Sequence, residues 1–73
     1  MTTAERIRAL REDADLSQTE VAKIINSAQT TYSDYETGKV RIPIDTLIIL
    51  AKYYNVDVNY ISGVTNKKMI FPS

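Results

Sequence analysis

The 73-residue chain has no cysteine and no histidine. Without cysteine there is no disulfide and no thiolate metal site, and without histidine the commonest metal ligand and the usual general base are missing as well. With two glycines in all, there is no glycine-rich phosphate loop, and no paired-carboxylate constellation appears. An enzyme is therefore the function class the composition disfavours most, and no catalytic residue, metal or cofactor is expected. No apolar run approaches the ~20 residues needed to span a bilayer. The first ten residues, MTTAERIRAL, do not resemble a signal peptide. The expectation is a soluble, cytoplasmic chain with no membrane partner. A charge excess is lacking too: nine basic residues balance nine acidic ones. This weighs against nucleic-acid binding, because phosphate neutralisation usually shows as a basic domain. The length allows one domain with a small core.

What the chain does have is concentrated in Gln18 to Thr37, QTEVAKIINSAQTTYSDYET. Ser17-Gln-Thr-Glu20 is a capping box, so a helix starts at Gln18, with Leu16 and Val21 at the staple positions. Val21, Ala22 and Ile25 make its apolar stripe, and Ala22 is small enough to let a second helix cross closely. Asn26 stands where the chain must turn, and asparagine tolerates the left-handed conformation. At about 100° per residue, the second helix puts Ala28, Tyr32 and Tyr35 on one side. Thr30, Ser33, Asp34 and Thr37 fall on the other, with Gln29 at the margin. That outer face carries short hydrogen-bonding groups and no long solvating charge. Such a face suits reading base edges in a major groove; it also fits a plain polar helix surface. Two helices, a short turn and a polar second face make a helix-turn-helix pattern.

With these residues in place, the chain resembles the Cro/C1-type (lambda-repressor-like) helix-turn-helix domains of phage and bacterial regulators. The matching residues are Leu16-Ser17-Gln18, Glu20-Val21-Ala22, Tyr32, Tyr35-Glu36 and Gly38-Lys39. Further along they are Ile42-Pro43, Leu47, Leu50, Ala51, Asn55-Val56-Asp57 and Tyr60-Ile61-Ser62-Gly63. The resemblance covers roughly residues 4 to 63 and implies an all-α, compact five-helix fold. It implies that helix 3 enters the major groove of double-stranded DNA while helix 2 lies across the backbone. Gln29, Thr30 and Asp34 match the family's base-reading positions, and Ser33 joins them on helix geometry. Gln18, at the first turn of helix 2, would hold a phosphate, with Ser17 beside it. Thr31, Thr37, Lys39 and Arg41 would contact the backbone as well. Asp34 would either accept from a cytosine amino group or exclude wrong sequences.

The remaining elements follow in order. Thr2-Thr-Ala-Glu5 is a second capping box, so helix 1 is expected from Thr3 to Ala14, with Ile7, Leu10, Arg11 and Ala14 as its stripe. Arg11 on the apolar side either snorkels to water or pairs with Glu36, as the resemblance implies. Helix 2 is expected over Gln18–Ile25 and helix 3 over Gln29–Thr37. Ala28 departs from the usual Ser or Thr cap, so Ser27 is expected to cap one residue early. Gly38 stops helix 3. Helix 4 is expected from Pro43 to Tyr54, with Ile44, Leu47, Leu50, Ala51 and Tyr54 inward and Ile49 and Tyr53 outward. Asp57 caps helix 5, over Val58–Ser62. Asp13, Asp15, Asp45 and Asp57 are expected away from the helix-turn-helix face, and Lys23, Lys39 and Arg41 near it.

The domain is expected to occupy residues 1–63, with 64–73 as a C-terminal tail that either folds back over its own Ile49 and Tyr53 or crosses to a partner's in a dimer. Ile49 and Tyr53, together with Met69, Ile70 and Phe71 of the tail, are the candidates for a homodimer interface, and a homodimer implies a two-fold-symmetric operator. The function expected is sequence-specific DNA binding as a small transcriptional regulator of the repressor type. The alternative is a protein-interaction or antitoxin-like module on the same fold, which the zero net charge and the apolar tail favour.

Overall fold

The computed structural model describes residues 2–62. They form five helices: α1 (Thr3–Asp13), α2 (Gln18–Ile24), α3 (Gln29–Thr37), α4 (Ile44–Tyr54) and α5 (Val58–Ile61). α3 packs against both α1 and α2, and α5 against α1 and α4. Both expected capping boxes are present, Thr2 with Glu5 and Ser17 with Glu20, each with its reciprocal pair of hydrogen bonds. They satisfy two otherwise orphaned N–H groups at each helix start. Asp57 caps α5 by accepting from the Asn59 N–H at 2.7 Å.

The helix ends show how a chain with two glycines turns its corners. Asp15, Asn26 and Asn55 all adopt left-handed backbone, with φ of 59°, 56° and 56°. Each is followed by a residue whose N–H reaches back to the last helical turn: Leu16 to the Arg11 carbonyl, Ser27 to Ala22 and Val56 to Ala51. This is the Schellman closure, with Asp or Asn in the position glycine usually takes. Gly38, with φ 78°, also turns the chain in left-handed backbone after α3, but there the N–H that reaches back, to the Asp34 carbonyl, is that of Val40, two residues on. Only the role of Asn26 was visible in advance among the non-glycine corners.

One core unites the helices: Ile7 and Leu10 of α1, Val21, Ala22 and Ile25 of α2, Tyr32 of α3, Leu47, Leu50 and Ala51 of α4, then Val56 and Ile61. Several expectations need correction. Ala14 is exposed, because the backbone leaves the helix there as its C-cap. Arg6 is buried instead, with its guanidinium 4.1 Å from the centre of the Tyr60 ring, a cation–π contact that ties α1 to α5. Thr3 adds a hydrogen bond from its hydroxyl to the Ser62 carbonyl at 2.7 Å. Ala28 is exposed and is itself the N-cap of α3, with no side-chain cap; Ser27 donates to the Ala28 carbonyl at 3.2 Å and does not cap. Pro43 is the N-cap of α4, so the helix starts at Ile44, which stays 58 % exposed at the helix mouth. Helices 1, 2 and 5 each end one residue before the expected position. Gly63, Met69, Ile70 and Phe71 lie outside the described residues.

Candidate nucleic-acid interface

The short turn from Ile25 to Ala28 sets α3 across α2, and Ala22, 2 % exposed, lets the two approach closely. Tyr32 and Glu36 are buried on the inner side of α3, one helical turn apart. On its other side Gln29, Thr30, Thr31 and Thr37 are exposed, and Ser33 and Asp34 are half-buried. Thr37 donates its hydroxyl to the Asp34 carbonyl at 3.2 Å, which fixes its rotamer at the helix end. Lys39 and Arg41 are exposed on the loop that follows. Ser17 and Gln18 stand at the start of α2. The Ser17 hydroxyl accepts from the Glu20 N–H at 3.1 Å and keeps its own proton for a further acceptor.

Beneath this face lies a connected polar network. Arg11 and Glu36 pair through two hydrogen bonds, Nε to Oε2 at 2.6 Å and Nη2 to Oε1 at 3.1 Å. Nη1 of Arg11 also donates to the Leu16 carbonyl at 2.9 Å, tying the pair to the loop before α2. The side chains are 14 % and 3 % exposed, so the geometry is the paired, hydrogen-bonded kind that a buried charge requires. Burial pushes the Glu36 carboxyl up, but the hydrogen bonds from Arg11 and the approach of Tyr32 and Gln18 outweigh it and hold it below the usual carboxylate range. The Tyr32 hydroxyl feels that charge and is pushed up, mainly by its own burial, yet among the described residues it has no hydrogen bond of good geometry. Burial and then the Glu36 charge push Tyr54 up to about 12.

Gln18 joins the network from outside. Its Nε2 donates to Glu36 Oε1 at 3.1 Å, and its Oε1 accepts from Gln29 Nε2 at 2.6 Å. The sequence suggested a phosphate contact for Gln18. The inward turn of its amide, linking the ion pair to the first residue of α3, was not visible there. No local signal in the sequence gives this contact: the turn joins the end of α2 to the start of α3, and Gln18 stands at the far end of α2.

A helix-turn-helix unit with a polar outer α3 and a buried ion pair behind it is what these elements define. The family model described as helix-turn-helix matches residues 7–61, and the chain belongs to the Cro/C1-type helix-turn-helix family. It is similar to an uncharacterized HTH-type transcriptional regulator, YobD of Bacillus subtilis, with 39 % identity over 62 residues, 85 % of this chain and 55 % of that protein. It is similar also to the cryptic phage CTXphi transcriptional repressor RstR of Vibrio cholerae, with 40 % identity over 55 residues, 75 % of this chain and 50 % of that one. The chain spans about half the length of these curated relatives. In three dimensions it matches the P22 c2 repressor protein, solved with a synthetic operator, at a TM-score of 0.76 and 23 % identity over 84 % of this chain and 92 % of the other. At that identity the likeness is one of fold, and the fold is the lambda-repressor-like all-α arrangement.

Proposed function

We propose that the chain binds double-stranded DNA sequence-specifically as a transcriptional regulator of the repressor type, with α3 reading the major groove. The observation that carries this is the outer face of α3, where hydrogen-bonding side chains are held over a fixed ion pair. Relatives named as regulators and repressors, and a fold neighbour solved with an operator, support the same reading. Gln29 keeps one N–H and its carbonyl oxygen for a base edge, the pattern of a bidentate contact to adenine. Thr30, Ser33 and Asp34 read beside it, with Asp34 accepting from a cytosine amino group or rejecting other bases. Ser17, Gln18, Thr31, Thr37, Lys39 and Arg41 contact phosphates and set the register.

The DNA-binding domain spans residues 1–63, and a homodimer forms through α4; the tail expected to join that contact, residues 64–73, lies outside the described residues. Ile49 and Tyr53, 43 % and 51 % exposed on α4, form an outward apolar pair one turn apart. Burying each large side chain is favourable by roughly 1.5–3 kcal/mol. A two-fold dimer would present two copies of α3 to half-sites about 34 Å apart on a symmetric operator. The protein works in the cytoplasm, uses no cofactor and catalyses no reaction.

A second reading, a protein-interaction or antitoxin-like module, draws on the zero net charge. Binding to mixed-sequence DNA measured across a salt titration separates the two. A regulator loses affinity steeply with salt, in proportion to the phosphates it neutralises. A pure protein binder shows no DNA affinity at the lowest salt.

A further inference from the structure

Glu36 is an acceptor with no proton to give. The amide ends of Gln18 and Gln29 are, taken alone, interchangeable: either oxygen or nitrogen can face a neighbour. The carboxylate removes that freedom. Gln18 must turn its nitrogen to Glu36, at 3.1 Å, which leaves its oxygen facing Gln29. Gln29 must then offer its own nitrogen, at 2.6 Å. The direction of the whole relay is therefore set at its buried end, which Arg11 holds in place through two hydrogen bonds.

That direction decides what Gln29 shows to the solvent. With one N–H given to Gln18, it presents a donor beside an acceptor. Adenine offers the complement, N7 as acceptor and the N6 amino group as donor, whereas guanine offers two acceptors. A Gln29 amide turned end for end would present its donor and acceptor in exchanged order, which mismatches adenine at both atoms and leaves one donor to match a guanine acceptor.

We propose that Glu36, acting through Gln18, fixes the amide direction of Gln29 and so sets the selection of adenine over guanine at the base pair Gln29 reads. This rests on α3 reading the major groove. Glu36 touches no base; it is a positioning residue that acts through two side chains, Gln18 and Gln29.

The test is selection of bound sequences from a random duplex pool by the full chain, followed by competition between adenine and guanine at the assigned position. Gln29→Ala assigns that position, as the one whose preference disappears. The readout is the adenine-to-guanine ratio within each protein, so changes in total affinity drop out. The wild type is expected to favour adenine roughly tenfold or more. In Glu36→Gln the residue at 36 can present either amide end, and in Gln18→Met the relay is cut; both ratios are expected to fall to about twofold or less, the range left when a base contact is not oriented. The exchanged pair, Gln18→Glu with Glu36→Gln, again gives Gln29 a neighbour that can only accept, and is expected to restore the preference. Loss of an ion pair alone offers no reason for that restoration. Should Glu36→Gln fail to fold, Gln18→Met, whose side chain is half-buried and uncharged, carries the test. Folded variants that keep the wild-type ratio overturn the proposal, as does an exchanged pair that folds and stays indiscriminate. A wild type that enriches no sequence overturns instead the DNA reading beneath it.

Discussion

Replacing Arg11 by Met should do more damage than replacing Glu36 by Leu, and should reverse the response of stability to acid. In the native pair the Glu36 side chain is 3 % exposed and that of Arg11 14 %. Arg11→Met leaves a carboxylate that water barely reaches, with the Gln18 amide as its remaining close donor. Breaking a buried pair in this way costs about 3–5 kcal/mol, and this case belongs in the upper half of that range. Glu36→Leu leaves a guanidinium that still donates to the Leu16 carbonyl and lies closer to water, so about 2–3 kcal/mol is expected, below that range. A domain of this size is stable by only about 5 kcal/mol, so Arg11→Met brings it close to unfolding at neutral pH. The sign with pH follows from the carboxyl. In the wild type Glu36 is held below its ordinary value of 4.5. The stability it contributes is present above that value and is lost as pH falls through the lower folded one. Without Arg11, burial is left as the largest influence and pushes the carboxyl up. The variant then binds its proton more tightly when folded, and gains stability relative to neutral pH as the solution is acidified toward 4.5. Urea unfolding followed by far-ultraviolet circular dichroism at pH 7 and pH 5 measures both effects, and the double variant completes the cycle. Additive losses, or the same slope with pH in wild type and Arg11→Met, would refute the pairing as the source of stability.

Asn26→Ala and Asn55→Ala each put an ordinary residue into left-handed backbone and should lower the unfolding free energy by about 1 kcal/mol, whereas the glycine variants should be near neutral or slightly stabilising; equal losses in both series would point to the asparagine side chains. Lys39→Ala should weaken every duplex alike and reduce the salt slope by about 0.9, while Gln29→Ala should cost about 1–3 kcal/mol on the best site only. Identical behaviour of the two on specific and random DNA would undo the division between reading and positioning. Ile49→Glu with Tyr53→Lys should abolish self-association in sedimentation, and a chain ending at Thr65 tests the tail; if the substituted and wild-type chains sediment alike, α4 is not the interface.

Elements with a local chemical signature were legible in the sequence. The two capping boxes, the turn at Asn26, the stop at Gly38 and the Asp57 cap each follow from one or two neighbouring side chains, and the structure has all of them. Periodicity placed α3 to the residue but misjudged stripe ends: Ala14, Ala28 and Ile44 sit at helix termini, where the backbone has already turned from the core. Arg6 was missed because a buried guanidinium is only intelligible once Tyr60, distant in sequence, lies over it. The inward turn of Gln18 was hidden for the same reason, since its partners are 11 and 18 residues away. The resemblance supplied the Arg11–Glu36 pairing in advance; composition alone would have argued against DNA.

The central claim is that α3 reads DNA, and it is tested most directly by selecting bound sequences from random duplex with the full chain at low salt. The expected product is one enriched site with two-fold symmetry, its half-sites centred about 34 Å apart. Recovery of a pool no different from the input, at a protein concentration where the chain remains folded, would contradict it.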